Sequence, residues 1–397
     1  MKRIWIILLL CTPALLVAQG VKKANKKIAR GEYEEAIEQY EKLLDKPKLA
    51  GEANFNIAEA YRQSNRIIQA KAYYEAAIKN GFKKEEAFFW LAYATKATGD
   101  YQGAEQQFER YLNIGQEEDL MARAEKELDN IIELVLLEEK ESFYNVKNLN
   151  VLNTASAEYS PVYKDGKLFF TSNRFGGKIY GATGTPFTNI YTSVTKGARV
   201  DPESIELLGD NLNTPNANDG TIAFSPDGKT IVYAKGNTGK RKGTADVNLY
   251  ISRFRNKSWS DPRMLSISKP DTWDSSPCFS RDGRTIYFSS LRDDPDAQGG
   301  LDLYSARMDP RGRFTKVRNL GPEINTPGDE MFPYISSDGH LYFSSTGHAG
   351  FGGLDIFFAM RKGGEITIEN LGKPMNSTSD DFGINFFKAD RGFFASN

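Results

Sequence analysis

The side chains able to do chemistry are sparse in this chain, and their spacings argue against most reactions. Gly228-Lys229-Thr230 has the closing residues of a phosphate-binding loop, but Ala223 stands where that loop needs its first glycine. The flanks read as strand, turn and strand, whereas a phosphate loop runs from strand into helix. No Gly-x-Ser-x-Gly elbow occurs to present a nucleophilic serine. The two histidines, His340 and His348, fall within nine residues of each other in a single repeat, which argues against a histidine metal cluster. His340 follows a turn glycine and reads as an exposed turn residue. Asp293-Asp294-Pro295-Asp296 with Asp302 offers oxygens to a hard cation, but the spacing is not that of an EF-hand, and a solvated loop accounts for it. Lys235, Lys240, Arg241 and Lys242 lie in a Gly-rich insertion and read as a charged loop rather than an anion site. The expectation is a non-enzymatic chain with no catalytic, cofactor-binding or metal-binding residues.

Bulk composition narrows the class further. Over 397 residues, 51 Lys and Arg face 52 Asp and Glu, so no net field draws the chain to nucleic acid. Residues 1–20 have the form of a secretory signal: Lys2 and Arg3, then an apolar run to Val17, with cleavage after Ala18 or Gly20. The run is short for a membrane span and Pro13 interrupts it. Cys11 follows three leucines, not the small residue that lipidation requires. That leaves Cys278 in the mature chain, with no disulfide framework, as a small buried residue in a strand.

The element that organises the second half is the hairpin around Ser225-Pro226-Asp227-Gly228. Proline presets φ, aspartate bonds its own backbone, and glycine takes a left-handed φ freely. An aromatic and β-branched run, Ile231-Val232-Tyr233, follows. Five copies occur, with turn glycines at 166, 228, 283, 339 and 392. A third-strand signature recurs at Asn189-Ile190-Tyr191, Asn248-Leu249-Tyr250, Asp302-Leu303-Tyr304 and Asp355-Ile356-Phe357. Between repeats lie Leu208 to Thr214, Leu320 to Thr326 and Leu371 to Ser377, each containing Asn-Thr or Asn-Ser; the third repeat departs at Met264-Leu265-Ser266. A repeat of this length predicts propeller blades of four strands. Five blades are expected, with a sixth left open. The last is incomplete because the fifth repeat stops at Asn397, as in a piece of a longer chain. The early copy at Asn148 to Thr154 is expected to supply the outer strand of the last blade and close the ring.

Residues 21–141 change to a helical period of 34. Ala36, Ala70 and Ala104 align, as do Tyr40, Tyr74 and Phe108, and Gly31, Asn65 and Gly99 mark the turn in each pair. This resembles the tetratricopeptide repeat, in which small residues let paired helices approach and aromatics fill the next groove. A last helix from Glu117 to about Glu141 caps the stack. The fold class is therefore α + β multidomain: signal 1–20, α-solenoid 21–141 and an all-β propeller at 142–397. By the resemblance, the groove is lined by the first helix of each pair, giving partner-binding candidates Phe55, Glu59, Arg62, Phe89, Tyr93 and Lys96, with core packing as the alternative for the two phenylalanines.

The Ser-Pro-Asp-Gly turns and Asp-Ile-Tyr strands resemble the WD40-like repeats of the periplasmic TolB type. Behind a signal peptide and tetratricopeptide repeats, they resemble the amino-terminal part of the OmpA-family envelope proteins of Bacteroidetes, including the PorE type associated with type IX secretion. The resemblance implies a periplasmic scaffold at the outer membrane that binds envelope proteins through its groove and propeller face. Peptidoglycan would be reached only through a further carboxy-terminal domain, and no nucleic acid or cofactor is implied. The alternative is the gating propeller of a periplasmic peptidase whose hydrolase domain lies beyond residue 397.

Overall fold

The computed structural model describes residues 12–138, 143–209, 211–236, 246–270 and 272–397. The start of the expected signal, and Lys240, Arg241 and Lys242, lie outside them. Two compact units divide between Glu125 and Lys126.

The first unit is built of helices α1 (Thr12–Ile28), α2 (Tyr33–Glu41), α3 (Pro47–Gln63), α4 (Ile67–Lys79), α5 (Glu86–Lys96), α6 (Tyr101–Ile114) and the start of α7 (Glu118–Glu138). None of the described helices is long and apolar enough to cross a membrane. Pairing follows the 34-residue period. Ala36, Ala70 and Ala104 are fully buried, so backbones approach where a larger side chain would hold them apart. Tyr40, Tyr74 and Phe108 are buried alongside. The turns close on Gly31, Asn65 and Gly99, all left-handed, with φ of 67°, 60° and 79°. The unit also takes in residues Ile179–Thr185, whose Ala182 packs among Tyr33, Ala36 and Ile37.

The second unit carries four complete antiparallel sheets. Their first strands are Glu158–Lys164, Asn218–Phe224, Asp274–Phe279 and Glu330–Ile335, and each pairs with the strand after the turn, then a third, then an outer one. The fifth repeat gives a two-stranded sheet, Asp381–Lys388 with Arg391–Ser396. The expected count of five blades is therefore corrected to four complete blades and a two-stranded fifth unit. Successive repeats touch around the ring. Lys164 Nζ donates to Pro226 O, Gly300 N–H to Gly328 O, and Tyr334 Oη to Phe386 O. Tyr163 N–H donates to Asn385 Oδ1, which joins the fifth repeat back to the first.

A second correction concerns closure. Residues 148–154 form no strand: Leu152 and Asn153 N–H both donate to Leu149 O, making a turn. Ile324 and Asn325 make the same turn on Gly321 O, and Met375 and Asn376 on Gly372 O. The shared sequence is thus the crossing turn between repeats.

Buried ion pairs hold the first and third sheets. Arg174 meets Glu158 and Arg292 meets Asp274, each at 2.9 Å, with every one of these side chains no more than 5% exposed. Arg292 also stacks on Phe288 and Tyr304. Removing one partner leaves an uncompensated buried charge. Arg292→Met is expected to destabilise the second unit by about 3 kcal/mol in urea titrations, whereas exposed Arg313→Met changes stability by about 0.5 kcal/mol or less.

Candidate functional site

Two surfaces merit comparison: the helical candidates and the axis of the propeller. On the helical unit, Phe55 is 7% exposed and stacks on Phe82 at 4.3 Å, and Phe89 is fully buried against Phe108 and Tyr111. Lys96 is also buried. These three are placed in the interior. Glu59, Arg62 and Tyr93 are half-buried. Arg62 forks onto Glu59 at 3.0 and 2.6 Å, and Tyr74 Oη donates to the same carboxylate at 2.5 Å. Burial raises the Glu59 carboxyl, but Arg62 and the Tyr74 and Gln63 donors outweigh it and hold the group below its ordinary value. The guanidinium of Arg62 lies 3.8 Å from the Trp90 ring centre, and Tyr93 meets the same ring edge-on. Arg62, Trp90 and Tyr93 thus form one half-exposed cluster. Trp90 lies beside the helical face that carries Phe89, Tyr93 and Lys96, so the periodicity of that face does not single it out.

At the axis, the first strands of all five repeats surround a cavity of about 330 Å³. Its lining is mainly apolar and includes Val162, Ile222, Phe224, Phe279, Tyr334 and Ile384. Each first strand carries an irregularity in register near its head, and that of the fifth repeat carries a second between Phe386 and Lys388. At the head irregularity of each strand stands a left-handed residue: Ser160, Thr221, Ser276, Phe332 and Gly383, with φ between 46° and 68°. Such a bulge bends and twists a strand locally, which suits strands converging on an axis. Ser160 Oγ and Thr221 Oγ1 are buried without a protein partner, both on strands that line the cavity.

Two residues before every bulge stands a buried acid: Glu158, Asp219, Asp274, Glu330 and Asp381. Four of them cap the crossing turn. Thr154, Thr214, Thr326 and Ser377 donate their N–H groups to Glu158, Asp219, Glu330 and Asp381. The third repeat lacks the Asn-Thr pair, and there Asp274 takes Ser290 Oγ and Arg292 instead. The asparagine of the turn has its own task. Asn213, Asn325 and Asn376 accept from the N–H of Ile190, Leu303 and Ile356 and donate to the same residues' carbonyls. Ser268 replaces the accepting half, taking Leu249 N–H.

The remaining sequence candidates are local. Gly228 closes a hairpin with φ of 67°, and Asp227 accepts from Ser225 Oγ and Lys229 N–H, so the Gly-Lys-Thr run is a turn. His340 pairs with Asp338 at 2.9 Å and His348 bonds Ile324 O, each apart from the other. Asp302 is engaged by Gln298 N–H and Asn319. Burial pushes the Cys278 thiol up to about 12.

The tetratricopeptide repeat family matches residues 21–67 and 62–119. No curated protein matches the chain. Among solved structures, one described as TolB from Agrobacterium tumefaciens is 18% identical, covering 59% of this chain and 88% of that one, with TM-score 0.32. A levansucrase mutant from B. megaterium is 12% identical over 68% of this chain and 87% of that one, at TM-score 0.40. A puromycin hydrolase is 16% identical over 57% of this chain, which spans 32% of that protein, at TM-score 0.31. Nothing about activity or partners passes across likenesses of this size.

The acids make stability depend on pH. Burial pushes Glu330 up to about 8 although Ser345 and Thr326 donate to it, and pushes Asp219 up to about 7 against the pull of Lys235 and Thr214. A folded-state pKa above the unfolded value favours the protonated fold. The resulting stability is complete below pH 4.5, the ordinary Glu value, and is lost as pH rises to about 8. Thermal unfolding between pH 4.5 and 9 is expected to show this fall, on the order of 5 kcal/mol from Glu330, and Glu330→Gln is expected to remove that share and leave the one from Asp219.

Proposed function

We propose that the chain is a non-enzymatic scaffold that binds other proteins, exported to the periplasm and working at the outer membrane. The carrying observation is the axial cavity. It has a mainly apolar lining formed by the first strands of all five repeats. Such a lining suits an extended polypeptide segment that offers apolar side chains to it. The repeated serines, by contrast, are engaged in structure: Ser225, Ser280 and Ser336 donate to the turn aspartates, and Ser172, Ser290 and Ser345 donate to the buried acids. The half-exposed cluster of Arg62, Trp90 and Tyr93 supports a second protein contact, since arginine and tryptophan are the side chains that dominate binding energy when buried at interfaces. Attachment to peptidoglycan and a place in type IX secretion are finer readings that rest on the family resemblance.

The test is site-specific photo-cross-linking in cells, followed by fractionation. A photoreactive residue at Tyr163, on the cavity wall, is expected to give one discrete protein adduct in the envelope fraction, and the same residue at exposed Arg255 none. Equal labelling at both positions, or a purified chain that hydrolyses aminoacyl nitroanilides, overturns the scaffold reading.

A further inference from the structure

The axial cavity carries charge of one sign. Among the described residues its lining has two charged side chains, Lys164 and Arg281, and no carboxylate. Both stand at the turn end of the inner strands. Lys164 is the last residue of the first inner strand, and its Nζ donates to Pro226 O in the second turn at 3.0 Å. Arg281 lies in the third turn, Ser280-Arg281-Asp282-Gly283. That turn adjoins the second, since a side-chain carbon placed on Gly283 would meet Pro226 Cδ at 3.0 Å. The two cations therefore mark one mouth of the cavity.

Neither cation is neutralised by a buried partner. Arg281 is exposed and has no ion pair or hydrogen bond among the described residues. Lys164 lies 3.7 Å from Asp165, whose side chain is 82% exposed, and such a pair holds weakly. The turn aspartates serve their own loops. Asp227 accepts from Ser225 Oγ and Lys229 N–H, and Asp282 accepts from Ser280 Oγ and Arg284 N–H. The buried acids at the heads of the strands are absent from the lining. An anion at this mouth thus meets uncompensated positive charge, and a cation is repelled.

Size narrows the occupant further. A volume of about 330 Å³ lies at the low end of the roughly 300–1,000 Å³ of ligand sites. A chain that entered and left again would bury two runs of backbone N–H and C=O groups against the apolar wall, whereas a chain end buries one. We propose that the cavity takes the carboxy-terminal end of a partner polypeptide. Its last apolar side chains go down among Phe224, Phe279 and Tyr334, and its free carboxylate stays at the mouth with Arg281 and Lys164. A guanidinium offers a carboxylate two parallel N–H donors, while an amino terminus would set its ammonium against the same two cations. The inference rests on the cavity being a protein-docking site and adds which part of the partner enters.

The probes are three fluorescein-labelled peptide pools titrated into the purified chain. In the first, the last four positions are equimolar Ile, Leu, Val and Phe, ending in a free carboxylate. The second is the same pool with a terminal amide, and the third carries those four positions at a free amino terminus. The acid pool is expected to bind saturably and about tenfold tighter than the amide pool, as for one charge-assisted hydrogen bond. The preference is expected to shrink as salt is raised, because the mouth is open to solvent. Arg281→Gln is expected to bring the acid pool to the level of the amide pool, with amide binding and thermal unfolding unchanged. Equal binding of the acid and amide pools, tighter binding of the amino-terminal pool, or no binding of any pool overturns the proposal. Should a discrete adduct still form at Tyr163 in cells, only the carboxy-terminal inference falls; with no adduct there, the docking reading falls with it.

Discussion

A carboxylate buried at the head of each inner strand has to be met by donors, and most of the propeller's recurring sequence serves that need. Desolvation of an ionised carboxylate is costly, so the group must be hydrogen-bonded, paired or protonated. This chain uses all three solutions. Glu158 and Asp274 are paired with Arg174 and Arg292. Glu330 and Asp219 are pushed towards the protonated form while turn residues donate to them. Asp381 is raised by burial and held by Ser377. At Glu158 and Glu330 a single position thus ties the crossing turn to the inner strand, and through Ser172 and Ser345 of the next strand to the rest of the sheet.

The axial cavity follows from the same arrangement. Anchoring each inner strand at its head sets where its bulge falls two residues later, and the five bulges bend the strands around the axis. Asparagine in the crossing turn adds the lateral tie by gripping the previous sheet's third strand. Ring cohesion is therefore polar at the strand heads and apolar between sheets, where clusters such as Val232, Leu249, Phe288 and Tyr304 pack. The helical unit depends on a different constraint, the close approach of backbones at Ala36, Ala70 and Ala104.

The architecture was legible in the sequence where a short local rule governs it. Left-handed turn glycines and small helix-contact alanines repeat at fixed spacings because sterics allow little else. The acid row has no fixed spacing to mark it, because its distance to the turn glycine varies: Glu158 to Gly166, Asp219 to Gly228 and Asp381 to Gly392 are eight, nine and eleven residues. The role of the closing segment is hidden for a physical reason as well. Strand pairing is non-local, and the crossing-turn sequence at Asn148 to Thr154 specifies a turn without specifying a partner strand. On the helices, periodicity marked Phe55 and Phe89 as special but could not separate packing from recognition, and it passed over Trp90 beside Arg62.

Native-state hydrogen exchange at single-residue resolution tests the central claim most directly. If the buried acids anchor the ring, the amides of Thr214, Thr326 and Ser377 exchange only through global unfolding of the propeller, as slowly as the sheet interior at Val232 and Phe288. Exchange of those three turn amides at rates typical of surface loops, while the sheets stay protected, would contradict the account.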